Sequence, residues 1–150
     1  MNLDVEGFKR AICSNTVCIV GSCPEFPFGN FDPMEELSEI ALEKGIGLHT
    51  DCCYGSYVVP FMKEAGFQEK LFDFRLKGIT SISCDTHKYG LGPKGNSILM
   101  FRNRKLRKPV IWTTNDWCGG LYPSTSFSGS KPGNIIAGSW AALLKTGREG

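Results

Sequence analysis

The sequence lacks any apolar stretch long enough to cross a bilayer, and its first residues do not read as a secretory signal peptide. It also has little excess charge. A net +2 gives no electrostatic footprint for nucleic acid, and the one basic run, Arg102 to Lys108, has no second basic patch beside it. That run is expected to be a solvated surface after a strand. Internal repeats and low-complexity linkers are absent. The seven cysteines are odd in number, and Cys13, Cys18 and Cys23 show no paired C-x-x-C zinc spacing. Reduced thiols in the cytosol, or facing it, are the expectation. With 41% apolar and 21% charged residues over 150 positions, the composition is that of one globular domain able to bury a core.

The patterning alternates between helix and strand. Val5, Phe8 and Ile12 share a helical face. Val17 to Val20 is a short β-branched run ending at Gly21-Ser22, as a strand buried on both faces reads. Asp32-Pro33-Met34-Glu35 predicts a helix start, with Asp32 as N-cap and Glu35 in the capping-box position, and Gly45 predicts its end. Further strands are expected over 46–51, 79–84, 97–101 and 110–113, and a last helix over 132–145. This rhythm predicts an α/β fold with a mainly parallel sheet covered by helices on both faces, and functional residues at the carboxyl ends of the strands.

Three strand ends carry polar clusters: Gly21-Ser22, His49-Thr50-Asp51 and Asp85-Thr86-His87-Lys88. A lysine and a carboxylate on two strand ends of one sheet suit pyridoxal 5'-phosphate (PLP). The amine must attach the cofactor covalently, which calls for a lowered pKa, and the carboxylate must pair with the pyridine nitrogen. His87 is placed to contact the cofactor or its phosphate. Taken singly, Asp51 reads as a loop cap and Lys88 as a solvent-exposed side chain; their ordered appearance on separate strand ends favours the site.

Gly90-Leu-Gly92-Pro-Lys-Gly95 matches the dinucleotide G-x-G-x-x-G string, but a strand rather than a helix is expected after it, which excludes that use. Ser128-Gly129-Ser130-Lys131-Pro132-Gly133 is an anion-loop candidate, with a simple loop and N-cap as the alternative.

Ser81 to Gly90, followed by Pro93-Lys94-Gly95, closely resembles the lysine segment of the sphingosine-1-phosphate lyase family of group II decarboxylase-like PLP enzymes. Val20-Gly-Ser22, Leu48-His-Thr-Asp51, Ala65-Gly66-Phe67, Gly119-Gly120 and Gly129-Ser130-Lys131-Pro132-Gly133 extend the resemblance over nearly the whole chain. It implies the large PLP-binding domain of fold type I (aspartate aminotransferase-like), with residues 1–150 as its central part. The phosphate-loop segment upstream and the small C-terminal domain would lie outside. It further implies that Lys88 forms the Schiff base and Asp51 holds the ring nitrogen. His87 and Ser22 would lie at the cofactor, and Lys94 would be a second active-site lysine. Gly129 and Ser130 would reach a cofactor phosphate, in the partner subunit of a homodimer.

The implied reaction is retro-aldol cleavage of a phosphorylated sphingoid base to phosphoethanolamine and a long-chain aldehyde. The isolated 150 residues are expected to be inactive, and the parent enzyme to be anchored in the endoplasmic reticulum membrane. Asp51-Cys52-Cys53 departs from the family's Asp-Ala or Asp-Ser before Cys, and Leu91-Gly92 replaces an aromatic or alanine pair. Alternatives are a PLP-dependent amino-acid decarboxylase, a non-catalytic remnant, and a thiol metal site around His49, Asp51, Cys52 and Cys53.

Overall fold

A computed structural model describes residues 2–148. The chain opens with helix α1 (Val5–Ala11), capped by the Asp4 carboxylate, which accepts from the Gly7 amide at 3.0 Å. Strand β1 (Cys18–Ser22), helix α2 (Met34–Lys44), strands β2 (Gly47–Asp51), β3 (Ile79–Cys84) and β4 (Ile98–Phe101), and a short helix α3 (Arg104–Arg107) follow. Strands β5 (Trp112–Thr114) and β6 (Tyr122–Ser124) precede the closing helix α4 (Gly133–Thr146).

The main sheet has the order β1-β2-β3-β4. The first three strands are parallel, as the alternating pattern predicts, but β4 runs antiparallel to β3. No helix intervenes between β3 and β4, so the chain turns back at the rim and returns beside its own strand. The strand expected at 110–113 is also placed differently. It forms β5, which among the described residues pairs only with β6, in a separate two-stranded ribbon. There Trp112 and Trp117 both meet the ring of Tyr122 edge-on.

One face of the sheet carries the hydrophobic core. Ile19, Leu48, Ile79 and Ile82 point into it, against Met34, Leu37, Ile40 and Ala41 of α2, and Val5 and Phe8 of α1 pack on its margin. The opposite face is only partly covered among the described residues, so the expected two-sided burial is not found: Val20 is 55% exposed. It bears Ser22, His49, Asp51, Ser81 and Ser83, which alternate with Ile19, Leu48 and Ile82 at the period of two that a strand imposes, while Ile79 lies before the irregularity in the β2–β3 register.

Helix α2 ends as expected, with Gly45 in the left-handed conformation at φ 65°. Its start differs. The N-cap is Pro33, with no side-chain cap, and Asp32 instead reaches back to the Ser22 amide at 2.7 Å. The Asp32 amide in turn donates to the Ser22 carbonyl at 3.0 Å. Asp32 thus clamps the end of β1, a stronger use of a carboxylate than an exposed cap because both partners are partly buried. Arg102 departs from the expected solvated run. Its guanidinium donates to the carbonyls of Ile79, Phe74 and Leu76 and lies over the Phe74 ring, 5.3 Å from the centroid. Residues 104–108 of that run are exposed.

Candidate active site

Asp51 closes β2, and in the parallel register it stands between Ser22 on β1 and Ser83 on β3. Its Oδ1 accepts from the Ser83 hydroxyl and from the Cys53 amide, both at 3.1 Å. Partial burial pushes this carboxyl up, but the hydrogen bonds from Cys53 and Ser83 outweigh it and hold the group below the usual aspartate range. The carboxylate is therefore ionised at neutral pH.

Lys88 follows β3 on a tight turn. The Leu91 amide donates to the Lys88 carbonyl at 3.1 Å, the Gly92 amide to the Thr86 carbonyl at 2.8 Å, and Leu91 takes a left-handed φ of 54°. Gly90 has no room for a side chain, since a Cβ there would sit 2.7 Å from the Thr86 carbonyl oxygen. The turn aims the Lys88 side chain back over the strand ends. Its Nζ lies 2.9 Å from Cys53 Sγ and 3.0 Å from Asp85 Oδ2. Cys53 thus touches both groups, its amide on Asp51 and its thiol at the Lys88 amine.

A lowered lysine pKa was expected, and the structure gives the opposite direction. Burial lowers it, but hydrogen bonds and charge from Cys53 and Asp85 prevail and raise it. An amine paired to a carboxylate at 3.0 Å keeps its proton at neutral pH.

The remaining predicted residues divide into those near this pair and those apart from it. Ser22 sits beside Asp51 on the neighbouring strand. His87 is partly buried, with Nδ1 at 3.2 Å from the Asn96 carbonyl oxygen and Nε2 at 3.8 Å from Asp85 Oδ2. Lys94 is exposed on the loop that leads from Lys88 to β4. Gly129 and Ser130 lie in a turn tied to Ser126, whose hydroxyl donates to the Gly129 carbonyl at 2.9 Å, and they share no described contact with Lys88 or Asp51. The four residues of the thiol metal alternative do not converge. The Cys52 thiol is buried and turned to the Cys23 carbonyl at 3.1 Å, while the His49 ring faces Ser81 and Ser83.

Three participants were given no role at the Lys88–Asp51 site from the sequence: Cys53, Asp85 and Ser83. The pairing of Asp85 with Lys88 was signalled by their i, i+3 spacing on a turn, and the place of Ser83 by the strict alternation of serines with Ile82 and Cys84. A cavity of about 810 Å³ among the described residues is lined by residues including Tyr54, Tyr57, Phe61, Met62, Tyr89 and Leu143. It excludes Lys88 and Asp51, so the chemistry is located by the charged pair and not by volume.

Residues 14–111 match the family model described as the pyridoxal-dependent decarboxylase conserved domain. The chain belongs to this family. Within it, the chain is 50% identical to the sphingosine-1-phosphate lyase 1 of Rattus norvegicus over 151 residues, covering 100% of this chain and 27% of the relative. It is 49% identical to the sphingosine-1-phosphate lyase of Arabidopsis thaliana over 147 residues, covering 98% of this chain and 27% of the relative. A solved structure of the sphingosine-1-phosphate lyase of Burkholderia pseudomallei superposes with a TM-score of 0.94 at 45% identity, over 100% of this chain and 34% of that one. The chain thus spans about a quarter of the length of the curated relatives it matches. Its fold is part of the PLP-dependent fold type I architecture, and the family's cofactor is pyridoxal phosphate.

The residues present fit that cofactor. An ionised carboxylate and a primary amine meet across a single intervening residue, which is the donor set a pyridine nitrogen and an aldehyde carbon require. Among the described residues, no helix is long and apolar enough to cross a membrane.

Proposed function

We propose that this chain carries the lysine and carboxylate of a PLP-dependent carbon–carbon lyase acting on phosphorylated long-chain bases, as the central part of its large domain. The observation that carries the reading is the meeting of Lys88 and Asp51 at Cys53, in a chain about half identical to sphingosine-1-phosphate lyases. When bound, the cofactor's protonated ring supplies the electron sink that lets a bond next to an amine break.

The chain's own residues do the rest. Lys88 anchors the cofactor through its amine, and Asp85 Oδ2, at 3.0 Å, is the carboxylate placed to take the proton that the amine must lose. Asp51 holds the ring-nitrogen proton, and its hydrogen bonds from Ser83 and Cys53 keep it charged for that purpose. Ser22, beside Asp51 in the strand register, and His87, next to Lys88 in sequence, would help hold the cofactor. The exposed Lys94 ammonium serves the substrate phosphate or a proton transfer. Gly129 and Ser130 act across a homodimer interface on the partner's cofactor phosphate, and the assembled enzyme faces the cytosol, its parent chain anchored at the endoplasmic reticulum.

The test is a product assay on the full-length enzyme that contains this segment, with PLP and a phosphorylated long-chain base. Release of a long-chain aldehyde and phosphoethanolamine, lost in Lys88→Ala, is the expected result. Carbon dioxide from an amino acid, with no aldehyde from the lipid, would overturn it in favour of a decarboxylase.

A further inference from the structure

The polar face of the sheet holds a hydrogen-bonded line that the anchoring of the cofactor does not by itself explain. His49 on β2 stands opposite Ser81 on β3, and Asp51 opposite Ser83. The irregularity between Leu48 and His49 sets this register, placing both serines on the polar face. A slip of one residue would turn Ile82 toward Asp51 in place of Ser83. His49 Nδ1 lies 2.8 Å from Ser81 Oγ, and His49 Nε2 lies 3.3 Å from Ser83 Oγ. Ser83 Oγ then reaches Asp51 Oδ1 at 3.1 Å.

We propose that Ser81, His49 and Ser83 form a relay that orients Asp51 toward the cofactor ring, making His49 and Ser83 positioning residues. The proposal rests on the reading of Asp51 as the partner of the ring nitrogen. Counting hydrogens leaves one arrangement. An ionised carboxylate only accepts, so the single Ser83 hydroxyl hydrogen goes to Asp51. The contact between His49 Nε2 and Ser83 must then be donated by the histidine. A neutral imidazole has one N–H, so Nδ1 is bare and accepts from the Ser81 hydroxyl. Burial lowers the His49 pKa and supports the neutral ring this arrangement needs.

Every hydroxyl and imidazole hydrogen of the line then has an acceptor, and each group fixes the next. Ser83 and the Cys53 amide together hold Oδ1 from two directions, so the carboxylate plane is set before any cofactor arrives. A carboxylate free to rotate would lose part of its ring contact to disorder. One held in place does not.

The test combines a spectrum of the unloaded protein with a titration of the loaded one. Nitrogen-15 NMR of the protein without cofactor is expected to show His49 as the neutral tautomer protonated at Nε2. Protonation at Nδ1 would overturn the relay. In PLP titrations, Ser83→Ala and His49→Phe are expected to weaken binding by roughly ten-fold, the scale seen when partners one layer behind a bound group are removed. They are also expected to shift the pH midpoint of the visible absorbance band. Ser83→Thr and His49→Gln keep the donors and are expected to restore both.

Asp51→Asn separates the two readings. If it titrates PLP like the unaltered protein, the assignment of Asp51 is wrong. If Asp51→Asn is impaired while Ser83→Ala and His49→Phe are silent, the relay alone is overturned. Folding of each variant is checked by its thermal melt.

Discussion

Ser83 and Asp51 stand side by side on adjacent parallel strands, and the serine hydroxyl donates to the carboxylate at 3.1 Å. That bond, with the Cys53 amide, keeps the folded pKa of Asp51 below its unfolded value. The ionised group therefore contributes stability that is fully present above the unfolded value of about 3.9, and it is lost as pH falls through the lower folded value. Asp51→Asn is expected to flatten the acid limb of a plot of Tm against pH below about pH 4. An unchanged limb in parallel thermal melts would count against the hydrogen bonds described.

His49 works in the same direction at milder pH, for a different reason. Burial lowers its folded pKa, so below the unfolded value near 6.5 the unfolded chain binds the proton more readily. Stability is expected to fall as pH drops through about 6.5. His49→Gln, which cannot titrate, is expected to remove that component, read from urea midpoints at several pH values.

Lys88 and Lys94 separate the anchoring role from the auxiliary one. Lys88→Ala is expected to abolish the visible absorbance that appears when PLP is added. Lys94→Ala is expected to keep it and, in the full-length enzyme, to lose turnover instead. A band that survives in Lys88→Ala would move the anchor elsewhere.

Much of this arrangement is legible in the sequence, and the misses share a cause. The β-branched run at 79–84 and the Pro33-to-Gly45 frame announce β3 and α2 because these signals are local. Asp51 and Lys88 stand out in the sequence because strand ends and a family resemblance converge on them. What escapes is set by pairing between distant residues. No local pattern says that β4 runs backward, that Asp32 clamps Ser22, or that Arg102 spends its donors on three carbonyls. The lowered lysine pKa fails on the same ground. Asp85, three residues earlier, is folded onto the amine by a turn whose path depends on Gly90 and Leu91.

Arg102 offers a stability test of one such pairing. Its removal leaves the carbonyls of Ile79, Phe74 and Leu76 without a charged donor. Arg102→Met is expected to cost about 2–3 kcal/mol in denaturant unfolding. Arg102→Lys is expected to recover only part of it, because a compact ammonium cannot reproduce the planar fork.

Thr50 offers the reverse case. It is fully buried on the core face, and its hydroxyl has no hydrogen-bond partner among the described residues. Valine has nearly the same shape and no polar atom to leave stranded. Thr50→Val is expected to raise stability by about 1 kcal/mol in the same unfolding measurement.

The backward course of β4 bears on how the lysine loop could change. Because β3 leaves the rim and β4 re-enters at that same rim, both feet of the 85–97 span are pinned to one edge, with Ser97 bonded to Asp85 across the gap. Such a span is a closed arch, and a residue inserted or removed anywhere along it must alter the heights of Lys88 and Lys94 together. Variation in this family segment should therefore favour exchanges of side chain at constant length.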